Sequence, residues 1–244
     1  MGKVNRQYRE NDWFDLNLDV ETRTIYMGSV SKDDEGNESG VDNLMSETFI
    51  KGMHILETKS EDKGITILMN NPGGEWYHGM AIYDAIKESS CHCTIKVYGQ
   101  VMSMGTVILQ AADTRILMPN TRTMIHYGYS GYNGHTPTAI RWSDESKKLN
   151  RKMEDIFLES MMAKEEAMGH GYIAKSISNI MNSQREMEYP SQDPVKHTFT
   201  RGKSKHEEMR EVLRELLKVD TIISAEETIS LGLADEIFQR SVSV

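Results

Sequence analysis

The sequence predicts an α/β protein in which a largely parallel sheet carries helices on its faces. Two observations support this. Short apolar runs rich in branched residues alternate with segments that repeat at the helical period, and strand–helix–strand units recur along the chain. The 244 residues fit one domain, or one domain with a large insertion, and suffice for a sizeable core.

In the first half of the chain, strands and helices follow one another closely. Apolar runs predict strands at 24–27, 65–69, 93–98, 115–118 and 123–125. Helical spacing predicts three helices between them, whose apolar positions are Leu44, Met45, Phe49, Met53 and Leu56, then Met80, Tyr83 and Ile86, then Val107, Ile108 and Ala111. A charged, glycine-containing loop, 31–40, precedes the first of these helices.

The pattern changes after Gly128. Residues 129–134 are glycine-punctuated and predict an extended segment, and Thr136 with Pro137 predicts the cap and first turn of a long charged helix that runs towards Met168. Residues 183–205 show no periodicity and predict a loop or insertion. Residues 207–218 predict a helix, and a last helix opens with a capping box at 224–227 and ends near Gly232.

Composition argues against several functions. The formal net charge is −9 without a Lys/Arg cluster, so neither nucleic acid nor an anionic membrane is an expected partner. No apolar run approaches the roughly 18 residues of a membrane span. Residues 1–6 lack the apolar core of a signal peptide. We expect a soluble protein of the cytoplasm.

The two cysteines, Cys91 and Cys93, flank His92. A disulfide across one residue would be strained, and a metal site would need further ligands at a recognisable spacing. We therefore expect two buried, reduced thiols and no metal.

Ser103 and His126 are the strongest candidates for catalytic residues. Ser103 follows a predicted strand and opens a predicted helix, and His126 follows a later strand. A hydroxyl and an imidazole that takes its proton make a nucleophile near neutral pH. Taken alone, the serine is also explained as a helix cap and the histidine as a core residue.

Two further features fit a site in which Ser103 is a nucleophile and His126 is its base. Gly73 and Gly74 follow a buried strand, where paired glycines form either an oxyanion hole or a plain tight turn. Asp220 lies between helix and strand signals and either orients an imidazole or is a loop residue.

Five segments, in chain order, resemble the proteolytic subunit of the Clp protease, a self-compartmentalised serine peptidase. They are the strand at 24–30, the Asn-Asn-Pro-Gly-Gly turn at 70–74 with the helix from 79, the Gly-Gln…Ser-Met-Gly segment at 99–105, the Pro-Asn-Thr-Arg-Thr-Met-Ile-His segment at 119–126, and the segment 220–227 with 232–235. The resemblance implies a crotonase-like fold of stacked ββα units with a protruding long-helix handle. It implies an N-terminal segment at 1–23, a core at 24–128 and 219–240, and a handle region at 129–218.

The same resemblance implies a serine endopeptidase with a Ser103–His126–Asp220 triad. The Gly74 and Met104 N–H groups would form the oxyanion hole. Substrate backbone would bind at Gly73 and along the segment Gly131, Tyr132, Asn133 and Gly134. The resemblance further implies a homo-oligomer of seven-membered rings, stacked in pairs, with a AAA+ unfoldase as partner and no cofactor.

Three departures from the family pattern bear on assembly. The spacing from His126 to Asp220 indicates an insertion around 169–210. Val219 stands where the family usually has an arginine that makes contacts between rings. A single ring and a stacked pair of rings therefore both remain open. Thr66 and Lys96 occupy positions expected to be apolar in the unfoldase docking pocket, where polar and charged groups would weaken the capture of a hydrophobic loop.

Three alternatives remain open from the sequence. The first is a catalytically silent or modulatory ring subunit. The second is a crotonase-type acyl-CoA enzyme, which would use carboxylates and need no Ser–His pair. The third is a Ser–Lys peptidase, disfavoured because the aligned base is His126.

Overall fold

The computed structural model describes residues 13–28, 40–60, 62–128, 131, 134–188 and 204–240. The chain forms two compact units, one within Met1–Thr123 and Ala234–Val244 and the other within Met124–Leu233. Among the described helices, none has a stretch both long and apolar enough to cross a lipid bilayer. The expected division into one core and a handle stays a prediction.

A sheet forms the centre of the first unit. Its strands, in spatial order, are β1 (Leu18–Asp19), β2 (Thr24–Gly28), β3 (Ile65–Asn71), β4 (Cys93–Met102), β5 (Thr114–Leu117) and β8 (Glu236–Ile237). Every neighbouring pair is parallel except β1 and β2. The predicted parallel-rich sheet is confirmed, and the strands at 65–69 and 93–98 extend further than predicted.

Alternation along β3 and β4 directs one face of the sheet into the core. Ile65, Ile67 and Met69 are buried, whereas the residues between them are partly exposed. β4 runs in register with β3, so that Ile65 lies beside Cys93 and Ile67 beside Ile95. Because side chains alternate with a period of two, these residues all face the same side.

Thr66 and Lys96 lie on the other, partly exposed face of this sheet. Thr66 pairs with Thr94, and Lys96 pairs with Leu68. This face is therefore polar and charged at the two positions that the family resemblance places in a docking pocket.

In the described part of the first unit, three helices follow β2: α1 (Asn43–Lys59), α2 (Trp76–Glu88) and α3 (Met104–Leu109). The Asp42 side chain caps α1 by accepting a hydrogen bond from the Met45 N–H at 2.8 Å. Phe49, Met53 and Leu56 are buried as predicted.

Leu44 is 67% exposed, so its predicted place on the buried face of α1 is wrong. At about 100° per residue, Leu44 lies about 100–180° around the helix from the buried stripe.

The described residues of the second unit form four helices and two strands. They are β6 (Arg122–Ile125), which crosses the boundary between the units, α4 (Thr136–Met168), α5 (Tyr172–Glu188), α6 (Lys205–Leu217), β7 (Thr221–Ser224) and α7 (Ala225–Ser230). β6 and β7 pair with each other. The 33-residue α4 confirms the predicted long helix, although His135 rather than Thr136 is its N-cap.

The prediction of a loop across 183–205 is wrong at its beginning. Residues 183–188 continue α5, and α6 begins at Lys205 behind a capping box of Ser204 and Glu207. Residues 189–203 lie outside the described residues. The sequence from 183 to 188 is largely polar, and the helix that continues into it is stabilised by buried isoleucines upstream.

The end of the second unit agrees with the sequence. Ser224 and Glu227 form the predicted capping box, with the Ser224 N–H donating to the Glu227 carboxylate at 2.7 Å. The helix ends at Ser230, and Gly232 adopts a φ of +76°, a conformation that favours glycine.

Cys91 and Cys93 are both buried and carry free thiols, as predicted. The Cys93 thiol donates to the Cys91 carbonyl oxygen at 3.4 Å. Burial raises the pKa of Cys93 to about 11, so this thiol stays protonated near neutral pH.

Candidate active site

Ser103 lies in the turn that joins β4 to α3, with a φ of 51° and a ψ of −122°. Among the described residues, only Asn17 and Arg23 are other non-glycine residues with positive φ. Such backbone costs about 1–3 kcal/mol and persists only where its surroundings hold it. Since every residue of α3 is buried, the core fixes one side of this turn.

Gly73 of the 70–74 turn packs against the serine turn, and Gly74 packs against Val41. A Cβ on Gly73, where φ is +100°, would lie 2.7 Å from the Ser103 Cβ and 2.8 Å from the Met102 carbonyl oxygen. A Cβ on Gly74, where φ is +144°, would lie 2.4 Å from the backbone N and O of Val41. Both positions therefore require glycine, for backbone conformation and for space.

Asn71, the last residue of β3, fastens the glycine turn. Its side chain is buried, and its Oδ1 accepts a hydrogen bond from the Gly73 N–H at 2.8 Å. The same oxygen lies 3.1 Å from the position of a Cβ on Gly105, so a small residue is needed at the start of α3. Asn71 thus connects the glycine turn with the helix that follows the serine.

Two backbone N–H groups beside the serine are candidates for an oxyanion hole. Met104 is the first residue of α3, where a helix leaves its N–H groups without an intrahelical partner. The bridge to Val41 uses the Gly73 carbonyl, at 2.6 Å from the Val41 N–H, and the Glu75 N–H, at 2.8 Å from the Val41 carbonyl. It does not use the Gly74 N–H. That the two N–H groups point to one oxygen stays a prediction.

His126 and Asp220 meet in the second unit. The His126 Nδ1 lies 2.8 Å from the Asp220 Oδ1, although 94 residues separate the two. A carboxylate at Nδ1 favours the neutral tautomer with its proton on Nδ1, which makes Nε2 the basic nitrogen. The His126 side chain is 16% exposed and that of Asp220 is 72% exposed.

Backbone contacts hold the segments that carry this pair. The Tyr127 N–H donates to the Leu217 carbonyl at 2.8 Å, which ties the residue after His126 to the end of α6. The Thr221 hydroxyl, one residue after Asp220, donates to the Leu216 carbonyl at 2.6 Å. Both segments are therefore anchored on the last turn of α6.

A buried ionic cluster lies behind Tyr127. The Glu154 carboxylate, whose side chain is 4% exposed, accepts hydrogen bonds from the Tyr127 hydroxyl at 2.8 Å, from Arg210 Nη1 at 3.0 Å and from Arg214 Nε at 3.0 Å. Asp155 accepts a further bond from Arg210 at 2.5 Å. The cluster connects α4, α6 and the segment after β6.

The cluster shifts the pKa of three of its members. The hydrogen bond to Glu154 raises the pKa of Arg214 above its ordinary value. Burial raises the pKa of Tyr127 to about 12, and the hydrogen bond to Glu154 acts in the same direction. Burial alone would raise the pKa of Glu154, but hydrogen bonds from Arg214, Tyr127 and Arg210 outweigh it and hold that pKa below its ordinary value. Glu154 is therefore ionised at neutral pH.

The structure brings some of the predicted site residues together. Ser103, Gly73, Gly74 and Met104 adjoin one another in the first unit, and His126 and Asp220 form a pair in the second. The meeting of Ser103 with His126 stays a prediction.

The predicted substrate segment is only partly described. Gly131 and Gly134 are exposed and lie outside the strands, and a Cβ on Gly131 would meet no atom within 4 Å. Tyr132 and Asn133 lie outside the described residues.

Sequence reasoning missed the strain at Ser103, the role of Asn71 and the Glu154 cluster. Asn71 has a local signal, since asparagine before a Pro-Gly-Gly turn can bond to its backbone. The positive φ of Ser103 and the partners of Glu154 have none, because they depend on residues distant in the chain.

Comparison with known proteins agrees with these features. A sequence model described as Clp protease matches residues 37–189. The ATP-dependent Clp protease proteolytic subunit of Deinococcus radiodurans is 34% identical over 119 residues, which cover 48% of this chain and 58% of that protein. The chain thus matches little more than half the length of this curated relative.

Because the family match covers more than half of its residues, the chain belongs to the Clp protease family. The mixed α/β architecture is consistent with the fold implied by the resemblance. Ser103 and His126 lie within the matched residues, whereas Asp220 lies beyond them.

Proposed function

We propose that this protein is a serine endopeptidase that cleaves peptides or unfolded polypeptides inside an oligomeric chamber. The observation that carries the proposal is the 2.8 Å hydrogen bond between His126 and Asp220. The strained turn at Ser103, packed against Gly73, supports it, since strained backbone concentrates at functional sites. Membership of the Clp protease family gives the same reaction class.

In this proposal the Ser103 hydroxyl attacks the peptide carbonyl while His126 Nε2 takes its proton. The imidazolium, stabilised by Asp220, then gives that proton to the leaving amine. Water then attacks the resulting ester while His126 Nε2 takes its proton, and that proton passes to the Ser103 oxygen as the ester bond breaks and the acid product leaves. The Gly74 and Met104 N–H groups would stabilise the negative oxygen in both steps, an effect typically worth 100-fold or more in rate.

The chamber is proposed to be a heptameric ring, single or stacked, located in the cytoplasm. Ile140 and Trp142 near the start of α4 are 57% and 48% exposed, and large apolar side chains near the end of a long helix favour contact with another subunit. The name of the Deinococcus relative describes an ATP-dependent protease, which supports a partner that uses ATP; we propose that this partner is a AAA+ unfoldase. The polar and charged side chains at Thr66 and Lys96 favour a docking contact that is not predominantly hydrophobic.

A ring subunit without activity of its own is the second candidate. The observation that favours it is the 72% exposure of the Asp220 side chain, because water screens the interaction of an exposed carboxylate with its partner. In that case His126 and Asp220 would form a pair that is not held firmly enough for catalysis.

Hydrolysis of a fluorogenic peptide by the purified protein tests the proposal. We expect Ser103→Ala and His126→Ala to lower kcat by about 1,000-fold or more. Ser90→Ala and His54→Ala, at exposed positions outside the site, are the matched controls and should keep wild-type rates.

Native mass spectrometry of the same samples separates the two candidates. A wild-type ring that hydrolyses no peptide would support the silent subunit. Undiminished hydrolysis by Ser103→Ala would contradict the serine mechanism.

A further inference from the structure

Helix α5 is fixed to the second unit along one face. Ile173, Ile177 and Ile180 recur at helical spacing, and each is at most 2% exposed. The helix packs against α4, α6 and α7. It is therefore an integral part of this unit.

The beginning of α5 is fastened by a buried carboxylate. Glu165 near the end of α4 is 1% exposed and accepts hydrogen bonds from the Gly171 N–H at 2.5 Å and the Ile173 N–H at 2.8 Å. An anionic group at a helix N-terminus also interacts favourably with the helix dipole. This contact fixes where α5 starts.

Near its other end, α5 contacts the strand that follows Asp220. The Gln184 Nε2 donates a hydrogen bond to the Ile222 carbonyl at 3.0 Å. Gln184 and Asp220 also line the same surface groove, together with Val219. The side chain of Gln184 thus contacts β7 two residues from the carboxylate that binds His126.

Asp220 needs such support because its own surroundings hold it weakly. It lies in the short connection between α6 and β7, and its exposed carboxylate is screened by water. The 2.8 Å contact with His126 is therefore maintained mainly by the neighbours of Asp220 in the chain. Thr221 is held by α6, and Ile222 is held by Gln184.

We propose that α5 is a brace within the subunit and that Gln184 is a positioning residue that keeps Asp220 against His126. The proposal rests on the proposed function, since it assigns Gln184 to the same triad. It predicts that α5 of the same subunit helps to hold Asp220 in line with His126.

Hydrogen exchange tests the brace without any reference to activity. Gln184→Ala removes the donor, Gln184→Lys retains an N–H donor of similar reach, and Ser183→Ala is the control on the same helix. Since one hydrogen bond is typically worth about fivefold in an equilibrium, we expect the alanine variant to speed amide exchange in residues 219–224 about fivefold. The lysine variant should restore slow exchange, and the control should not change it. Unchanged exchange in Gln184→Ala would overturn the proposal.

The rate at which a fluorophosphonate labels Ser103 tests whether Gln184 affects the nucleophile by positioning Asp220. We expect Gln184→Ala to slow labelling about fivefold in the wild-type background but less than twofold in an Asp220→Asn background, because contacts that act as one unit are not additive. An equal loss of labelling rate in both backgrounds would show that Gln184 has a merely structural role, and it would overturn the proposal that Gln184 positions Asp220. A wild-type chain that takes no label would instead overturn the proposed function, and the exchange experiment would still decide whether Gln184 braces β7.

Discussion

Replacing Gly73 with alanine places a methyl group between the glycine turn and Ser103. The added Cβ would lie 2.7 Å from the Ser103 Cβ and 2.8 Å from the Met102 carbonyl oxygen. Because ordinary contacts begin at 3.4 Å, the two turns must separate by about 0.7 Å to accept it. The φ of +100° at this position adds a backbone cost of about 1–3 kcal/mol for alanine.

A displacement approaching 1 Å in a catalytic site costs about 100-fold in rate. We therefore expect Gly73→Ala to lower kcat/KM for a fluorogenic peptide about 100-fold. We also expect it to lower the free energy of unfolding, measured in urea, by about 1–3 kcal/mol. The loss in rate exceeds what partial unfolding explains, because the remaining stability keeps nearly all molecules folded.

Gly128→Ala is the matched control for this variant. Its added Cβ would meet no atom closer than the Asn150 Oδ1 at 4.0 Å, so activity and stability should stay within twofold and about 0.5 kcal/mol of wild type. A rate for Gly73→Ala within twofold of wild type would refute the account of the glycine turn. So would an equal loss in both variants.

Two further predictions concern buried ionisable groups. Glu154→Gln should lower the free energy of unfolding by about 2 kcal/mol in urea at neutral pH, because it takes the buried carboxylate away from Arg210 and Arg214 and leaves Arg210 with only the half-exposed Asp155 as a charged partner. Since the pKa of Glu154 is lowered from 4.5 in the folded chain, this difference should be complete well above pH 4.5 and shrink as the pH falls through the lowered pKa. Cys93, with a pKa of about 11, should react with iodoacetamide at pH 8 at least about 100-fold more slowly in the folded protein than in urea, as followed by mass spectrometry.

Each of these predictions has a contradicting result. A stability difference for Glu154→Gln that stays constant from pH 7 to well below pH 4.5 would show that the carboxylate is not stabilised in its charged form. Alkylation of Cys93 in the folded protein at the rate seen in urea would show that the thiol is accessible.

Local patterns predict much of this fold because its elements follow simple periodicities. The apolar run at 65–69 predicts β3, and the capping box of Ser224 and Glu227 predicts the start of α7. The prediction that Leu44 is buried is wrong because it counted an apolar residue near the helix start with the buried stripe, without regard to its angular position around the helix. The isoleucines of α5 carry a helical signal that the surrounding polar residues and flanking glycines obscure.

The site is less accessible to sequence reasoning, since its decisive features are contacts between distant residues. Glu154 and Arg210 are 56 residues apart in the chain, and Gln184 and Ile222 are 38 apart. The strained φ of Ser103 depends on a buried helix on one side and a glycine turn on the other. His126 and Asp220 are indicated in the sequence by their positions beside predicted strands and by the family resemblance, but their contact is visible only in the structure.

The central claim is that Ser103 is a nucleophile activated by His126 and Asp220. Treating the purified protein with a fluorophosphonate and locating the adduct by mass spectrometry tests it most directly. The account predicts one adduct, on Ser103, that disappears in His126→Ala and forms far more slowly in Asp220→Asn. An adduct on Ser103 that forms equally fast in His126→Ala, or on another residue instead, would contradict it.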